Sequence, residues 1–235
     1  MIRTSLLAIY LALIACTPQE KEIDRDDVTG MADALSYSYL ALGDSYTIGT
    51  AIGTENSYAT LLADSLTHHD SILHIKLDII AQNGWTTTNL LNALNKENIA
   101  GNYNLVSLLI GVNNQFQGRS KTEYRKEFTA LLQKAMAYAG GDAGRVMVLS
   151  IPDYGVTPYG ASNRESIAGG IDEFNAINKE VSDTMNVLYV DITPLSRAAA
   201  NDPQLVASDK LHFSSEMHKL WMKRMYEPAL STLLP

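Results

Sequence analysis

The stretch Tyr39-Leu40-Ala41-Leu42-Gly43-Asp44-Ser45-Tyr46 joins an uninterrupted apolar run to a glycine, an acid and a hydroxyl group. An apolar run without polar alternation predicts a strand that is buried on both faces. Residues 105–110, followed by Gly111, repeat this arrangement, and residues 146–149 form a third apolar run. Because such strands occur in parallel sheets that helices cover on both faces, the three runs predict an α/β protein.

Two further strands complete the predicted sheet. Residues 72–80 alternate apolar and polar side chains, which is typical of an edge strand, and residues 187–190 form a short fifth strand. Between the strands, apolar side chains recur at three- and four-residue spacing, which indicates amphipathic helices. These helical patterns cover residues 58–66, 87–96, 124–135, 171–185 and 217–225.

The alternation of strands and helices predicts a three-layer α/β/α fold with a flavodoxin-like, doubly wound parallel sheet of five strands. The alternating second strand fits the outer position in the order 2-1-3-4-5. In that order the chain reverses direction between the first and third strands, and ligands bind at this point, beyond the carboxyl ends of the strands. The residues directly after the first three strands are therefore the first candidates for a functional site.

The composition excludes several classes of protein. Lys and Arg number 18 and Asp and Glu number 26, so the formal charge is −8, which argues against nucleic-acid binding. A hydrophobic fraction of 46% with a charged fraction of 19% is typical of a packed globular chain. The single cysteine excludes an internal disulfide framework and a cysteine-based zinc site.

The N-terminus has the pattern of a secretory signal. Arg3 precedes an apolar run over residues 6–14 that is too short to span a bilayer comfortably. The ending Leu13-Ile14-Ala15-Cys16 resembles the bacterial lipobox, and this resemblance implies cleavage before Cys16 and lipidation of its thiol. The alternative is an ordinary signal peptide with a nearby cysteine.

These features predict the organisation of the chain. We expect a signal peptide at residues 1–15, a flexible polar tether at residues 16–36 and a single domain at residues 37–235. The lipobox resemblance further implies a protein of the cell envelope that is exported and then held at a bacterial membrane by its N-terminal lipid.

Four short motifs lie after predicted strands: Gly43-Asp44-Ser45-Tyr46, Gln82-Asn83-Gly84-Trp85, Gly111-Val112-Asn113-Asn114 and Asp209-Lys210-Leu211-His212. Together and in this order, they resemble the SGNH, or GDSL-like, hydrolase family over about residues 37–230. The resemblance implies that Ser45 is a nucleophile and that Asp209 and His212 complete a catalytic triad with it. It also implies an oxyanion hole formed by the backbone of Ser45, Gly84 and Asn113.

The residue types suit this chemistry. A serine hydroxyl needs an adjacent base, histidine has the pKa for that task near neutral pH, and the imidazole needs an acceptor on its other nitrogen. Asp209 is the predicted acceptor because it lies three residues before His212. Asp191, at the end of the fifth strand, is the alternative acid and is expected to cap the turn before Pro194, whereas Asp44 is expected to fix its own loop.

The substrate pocket is predicted from neighbours of these motifs. Tyr46 stands where the name motif of the family has leucine, and Asn114 stands where many members have aspartate, and both are expected to face the substrate. The segment 151–170 is rich in Gly, Pro and Ser, and we expect a mobile specificity loop there. Aromatic side chains predicted to wall the pocket are Trp85, Phe116, Tyr154 and Tyr159.

The sequence therefore predicts a serine ester hydrolase that forms an acyl-enzyme on Ser45 and needs no metal or organic cofactor. Within the family the substrates include acyl lipids, thioesters, aryl esters and acetylated sugars, and the sequence does not choose among them. Two alternatives stay open: a non-catalytic surface lipoprotein that binds a glycan or lipid, and an acyltransferase that uses a sugar hydroxyl as acceptor.

Overall fold

The computed structural model describes residues 35–69, 73–97, 99 and 101–234. The predicted signal peptide, Cys16 and the tether up to residue 34 lie outside the described residues. The first strand begins at Leu35. Leu35 and Ser36, which the sequence assigned to the tether, therefore belong to the domain, because the backbone of this segment pairs along its whole length with the second strand.

The sheet has five parallel strands in the order β2-β1-β3-β4-β5, which confirms the predicted fold class. The strands are β1 (Leu35–Gly43), β2 (Leu73–Ala81), β3 (Leu105–Leu109), β4 (Val146–Leu149) and β5 (Leu188–Val190). All residues of β3 and β4 are buried, as are the last five of β1. The continuous apolar runs thus occupy the centre of the sheet, and the alternating β2 lies at its edge.

The register places the ends of three strands at one level. Gly43 at the end of β1 pairs with Ala81 of β2 on one side and with Leu109 of β3 on the other. The segments that follow these three strands therefore leave the sheet from the same edge. This alignment brings three of the four sequence motifs to the point where the chain reverses direction.

Eight α-helices occur in the described part of the chain. They are α1 (Ser45–Ile48), α2 (Tyr58–Thr67), α3 (Thr87–Lys96), α4 (Val112–Phe116), α5 (Lys121–Tyr138), α6 (Arg164–Thr184), α7 (Thr193–Arg197) and α8 (Ser215–Leu233). Side-chain caps begin the longer ones: for example, Ser57 accepts from an amide of α2 and Ser214 from an amide of α8. Helices lie on both sides of the sheet, with α2 against α8 and α5 against α3 and α6. No helix within the described ranges is long and apolar enough to cross a bilayer.

The segment after β4 differs from the expected mobile loop. Two short 3₁₀ turns, Tyr154–Val156 and Ala161–Asn163, interrupt it, and α6 already begins at Arg164. Residues 151–157 are buried. Asp153 explains this order, because it accepts from the Gly155 amide and forms an ion pair with Arg197 at 2.9 Å. The composition of the segment could not predict the ion pair, because Arg197 belongs to α7.

Candidate active site

Ser45 lies on a tight turn between β1 and α1. Asp44 caps α1 by accepting from the Tyr46 amide at 3.1 Å, and Ser45 is the first residue of the helix, with 4% of its surface exposed. Glycine is required at position 43, since an added Cβ would lie 2.0 Å from the Thr47 hydroxyl oxygen and 2.4 Å from the Leu109 carbonyl oxygen. The prediction that Asp44 fixes its own loop is confirmed.

The pKa of the Asp44 carboxyl group is shifted from its ordinary value. It is fully buried, and its Oδ2 has no hydrogen-bond partner among the described residues. Burial raises the pKa of Asp44 to about 7, although the Tyr46 amide and other backbone donors act in the opposite direction. A carboxyl group that is half protonated near neutral pH thus lies directly beside Ser45.

Asp209 and His212 form a hydrogen-bonded pair within one short segment. The His212 ring nitrogen Nδ1 lies 2.5 Å from Asp209 Oδ2, and Asp209 Oδ1 accepts from the backbone amides of Leu211 and His212 at 3.0 and 2.9 Å. Burial raises the pKa of Asp209, but the hydrogen bonds from the His212 ring and from the two amides outweigh burial, so the pKa lies below its ordinary value. Because an ionised carboxylate can only accept, Nδ1 of His212 carries a proton, and in the neutral ring Nε2 is left as the proton acceptor.

Asp191, the alternative acid, accepts its hydrogen bonds near the start of α7 and none from His212. Asp191 Oδ1 accepts from the Ser150 hydroxyl at 2.9 Å and from the Thr193 backbone amide at 3.1 Å. The prediction that Asp191 caps the turn before Pro194 is therefore confirmed. Of the two acids, Asp209 is the one that the structure places against His212.

Asn113 lies on α4, one turn beyond the end of β3. Its side-chain Nδ2 donates to the Trp85 carbonyl oxygen at 2.9 Å, which fixes the orientation of the amide. An Asn amide nitrogen has two hydrogens, so this bond leaves a second donor for a ligand. Asn113 lines the same cavity as Ser45 and His212.

Gly84 lies in an exposed turn that the Trp85 amide closes by donating to the Gln82 carbonyl oxygen at 3.2 Å. Its φ is +81°, and an added Cβ would meet no atom within 4 Å. Glycine is thus favoured there by backbone conformation and not by lack of space. The Gly84 amide is not the one that closes the turn, which leaves it available as a donor.

A cavity of about 160 Å³ lies between these segments. The residues that line it are Ser45, Tyr46, Asn83, Val112, Asn113, Phe116, Tyr154, Leu211 and His212. The structure therefore brings the predicted nucleophile, base and one oxyanion donor to a single cavity, together with three of the predicted pocket residues. Larger cavities exist elsewhere in the molecule, but this one holds Ser45 and His212.

Three predicted pocket residues, Trp85, Asn114 and Tyr159, do not line the cavity. Asn114 is only 2% exposed, and it accepts from the Thr87 backbone amide and donates to the Thr87 hydroxyl. Asn114 thus ties α4 to the start of α3, and the expectation that it faces the substrate is wrong. Trp85 packs against the core and contributes its carbonyl oxygen to Asn113 instead of forming a wall of the cavity.

Sequence reasoning missed three lining residues and one buried histidine. Asn83, Val112 and Leu211 line the cavity, and all three lie inside the quoted motifs, which was the available signal. His218 on α8 is 1% exposed, and its Nδ1 accepts from the Tyr58 backbone amide at 3.1 Å. Burial, and to a smaller extent the nearby His212, lowers the pKa of His218 to about 3, so its ring is neutral.

The described residues contain no group of three or more His, Cys, Asp or Glu side chains arranged to hold a metal ion. The polar groups of the cavity are instead a hydroxyl, an imidazole backed by a carboxylate, and amides. At the carboxyl ends of a parallel α/β sheet, such a set is characteristic of the serine hydrolases.

The comparisons with known proteins agree with this class. The chain belongs to the GDSL-like lipase/acylhydrolase family, whose sequence model matches residues 41–220, and it is accordingly a serine ester hydrolase. No curated protein sequence matches the chain.

Solved structures of similar fold include three hydrolases. The psychrotrophic esterase EstA from Pseudoalteromonas sp. has a TM-score of 0.62 at 20% identity, over 84% of this chain and 99% of that one. The acetylxylan esterase Axe2 from Geobacillus stearothermophilus has a TM-score of 0.63 at 18% identity, over 84% and 96%. The lipase/acylhydrolase from Enterococcus faecalis has a TM-score of 0.64 at 18% identity, over 83% and 96%. At these levels of sequence identity, the structural similarity establishes the shared fold alone.

Proposed function

We propose that Ser45, His212 and Asp209 act as the catalytic triad of a short-chain carboxylesterase. The observation that carries the proposal is the His212–Asp209 pair, which leaves Nε2 of His212 as a base in the cavity that Ser45 lines. His212 removes the proton from the Ser45 hydroxyl as its oxygen attacks the ester carbonyl carbon. The proton then passes to the departing alcohol, and water hydrolyses the acyl-enzyme by the same route.

Three donors are proposed to hold the oxyanion of the tetrahedral intermediate: the backbone amides of Ser45 and Gly84 and the side-chain amide of Asn113. The Tyr46 amide donates to Asp44 Oδ1 and the Thr47 amide to the Asp44 carbonyl oxygen. The Ser45 amide precedes these bonded groups at the helix start. Donors fixed before the reaction stabilise the developing charge without reorganisation, and removal of one typically costs about 3–4 kcal/mol of transition-state stabilisation.

The size of the cavity supports a short acyl group. Small-molecule pockets generally measure about 300–1,000 Å³. At about 160 Å³, this cavity has about half the volume at the lower end of that range. An acetyl to butyryl group fits that space, and the alcohol portion of the ester must then lie outside it.

An aromatic rim offers a surface for the alcohol portion. Phe116 and Tyr159 are 53% and 54% exposed, and their ring centroids are 6.3 Å apart. Phe116 also contacts Tyr154 edge-on, at 5.9 Å. Exposed aromatic faces at the mouth of a cavity mark a ligand surface and suit the flat apolar face of an aryl group or a sugar. Because two of the similar folds are acetyl xylan esterases, we favour an acetylated sugar as substrate.

The proposal is tested with 4-nitrophenyl esters from acetate to octanoate and with a fluorophosphonate probe. We expect turnover to be highest for acetate to butyrate, and the probe to label Ser45. Ser45→Ala should abolish both turnover and labelling, whereas Ser231→Ala, on the exposed side of α8, should leave both unchanged. Unimpaired turnover by Ser45→Ala would overturn the assignment.

The same experiment separates the two alternative functions. A binding lipoprotein would hydrolyse none of the esters and would not react with the probe. An acyltransferase would react with the probe but would yield an acylated sugar when a sugar acceptor is added. Product analysis with and without the acceptor distinguishes transfer from hydrolysis.

We also propose that the mature protein is exported and anchored to a bacterial membrane through a lipid on Cys16. The support is the sequence Leu13-Ile14-Ala15-Cys16 after a short apolar run. The wild-type protein should fractionate with membranes, and Cys16→Ser should release it or block its maturation. A fully soluble wild-type protein whose N-terminus is another residue would contradict the anchor.

A further inference from the structure

A second cavity lies next to the active site. It measures about 440 Å³ and is bounded by the turn after β4 and by the loop that precedes Asp209. We call it the basic cleft and define it by its lining residues: Val156, Thr157, Pro158, Ala161, Arg164, Ala199, Ala200, Pro203, Val206, Ala207, Ser208 and Lys210. Most of these side chains are small and apolar, so the lining of the cleft is mainly apolar.

The charge of the cleft is opposite to that of the chain as a whole. Two of the lining residues, Arg164 and Lys210, are cationic, and none is acidic, although Asp and Glu outnumber Lys and Arg in the sequence. Within the described ranges neither cation forms an ion pair. Arg164 only donates to the Gly155 carbonyl oxygen, at 3.4 Å, whereas Arg125 and Arg197 pair with acids.

The basic cleft directly adjoins the loop that holds Asp209 and His212. Lys210 lies between Asp209 and Leu211, and two residues of chain span at most about 7 Å, so the Lys210 and His212 Cα atoms are close. The Tyr159 amide donates to the Lys210 carbonyl oxygen at 3.0 Å, which ties the aromatic rim to this loop. The φ of Lys210 is +64°, a conformation that non-glycine residues rarely adopt and that concentrates at functional sites.

From this arrangement we infer that the basic cleft binds an anionic group, a carboxylate or a phosphate, on the alcohol portion of the ester. The inference rests on the proposed function and extends it from the acyl group to the leaving group. The acyl group occupies the small cavity beside Ser45, the body of the alcohol crosses the aromatic rim, and its anion reaches Arg164 and Lys210. An ammonium and a guanidinium group that share a cleft with apolar side chains suit an anion carried on a compact organic body.

The test compares two matched pairs of acetyl esters with the full chain at low ionic strength. In the first pair, an acetylated methyl glucuronoside is compared with an acetylated methyl glucoside. In the second, acetylglycerol 3-phosphate is compared with acetylglycerol. The acyl group is the same throughout, so a preference within a pair reports the charge of the alcohol, and the two pairs distinguish a carboxylate from a phosphate.

We expect a higher kcat/KM for the charged member of at least one pair. Arg164→Gln and Lys210→Gln should each reduce that preference by about fivefold, the effect of about 1 kcal/mol from one exposed charge. The control Lys223→Gln removes a cation from α8 that does not line the cleft, and it should keep the preference. Added salt should weaken the preference in the wild type.

A second measurement does not need turnover. Titration of the deacetylated alcohols, methyl glucuronoside and glycerol 3-phosphate, should show binding that Lys210→Gln weakens. Equal kcat/KM within both pairs, or a preference that both cleft variants keep, would overturn the inference. Binding of these anions by a protein that hydrolyses no ester would support the cleft and refute the esterase proposal, so the two failures are distinguishable.

Discussion

Two buried groups near the active site should make opposite contributions to the pH dependence of this protein's stability. Asp44 is fully buried with a pKa of about 7, and His218 is 1% exposed with a pKa of about 3. In the unfolded chain these groups titrate near about 3.9 and 6.5. Folding therefore shifts the two pKa values in opposite directions, and each shift links stability to pH.

The signs follow from proton binding between pH 4 and 6.5. In this window Asp44 keeps its proton when folded and loses it when unfolded, so its contribution to stability falls as pH rises. His218 is neutral when folded and protonated when unfolded, so its contribution rises with pH. Each slope is about 1.4 kcal/mol per pH unit, or about 3 kcal/mol over two units, and the two cancel in the wild type.

Single substitutions should reveal the two slopes. In Asp44→Asn the new side chain keeps an oxygen for the Tyr46 amide, and in His218→Asn it keeps an acceptor for the Tyr58 amide. Urea unfolding from pH 4.5 to 6.5 should give a free energy that rises with pH for Asp44→Asn and falls with pH for His218→Asn. The double variant should be flat again. Parallel pH profiles for the wild type and both single variants would refute the reasoning.

Three further predictions concern catalysis. Asp209→Asn should lower kcat by roughly 10- to 10⁴-fold, because the ring of His212, the proposed base, can then adopt the wrong tautomer. Asp191→Asn should change kcat by less than about threefold, and the reverse ranking in steady-state kinetics would show that Asp209 is not the acid that serves His212. Asn113→Ala should reduce kcat by about 10²- to 10³-fold and should lose only its hydrogen bond to the Trp85 carbonyl oxygen. Asn114→Ala should chiefly lower the urea midpoint, and a large fall in kcat for Asn114→Ala alone would show that Asn114, and not Asn113, holds the oxyanion. Hydrolysis of acyl esters longer than octanoate should be at least about tenfold slower than that of acetate, and equal rates would show that the cavity opens to hold a chain.

The sheet was predictable because its central strands are uninterrupted apolar runs. Residues 39–42, 105–110 and 146–149 can be buried on both faces only in the middle of a covered parallel sheet, and the alternating β2 can only lie at an edge. The strand order then fixed where the functional residues would converge. The order of residues 151–157 was missed, because the ion pair between Asp153 and Arg197 joins parts of the chain that no local pattern connects.

The candidate site was predictable to the level of the motif but not of each side chain. Asn113 and Asn114 are adjacent in sequence, yet successive residues on a helix point about 100° apart. Asn113 therefore faces the cavity, and Asn114 faces Thr87 at the start of α3. The sequence locates α4 at the end of a strand, but only packing against α3 decides which of the two side-chain amides faces the cavity.

Tyr46 shows how a departure from the family motif can serve the geometry of the site. Its ring lies 5.9 Å from the rings of His212 and Phe213 and 5.8 Å from that of Trp221, while its backbone amide is held by Asp44. Tyr46 thus packs against His212, the proposed base, and against Phe213. A leucine side chain would fill less of this space and could not make edge-to-face ring contacts. The tyrosine ring therefore connects the loop that holds Ser45 to the loop that holds His212, and we expect it to help fix the distance between the proposed nucleophile and the proposed base.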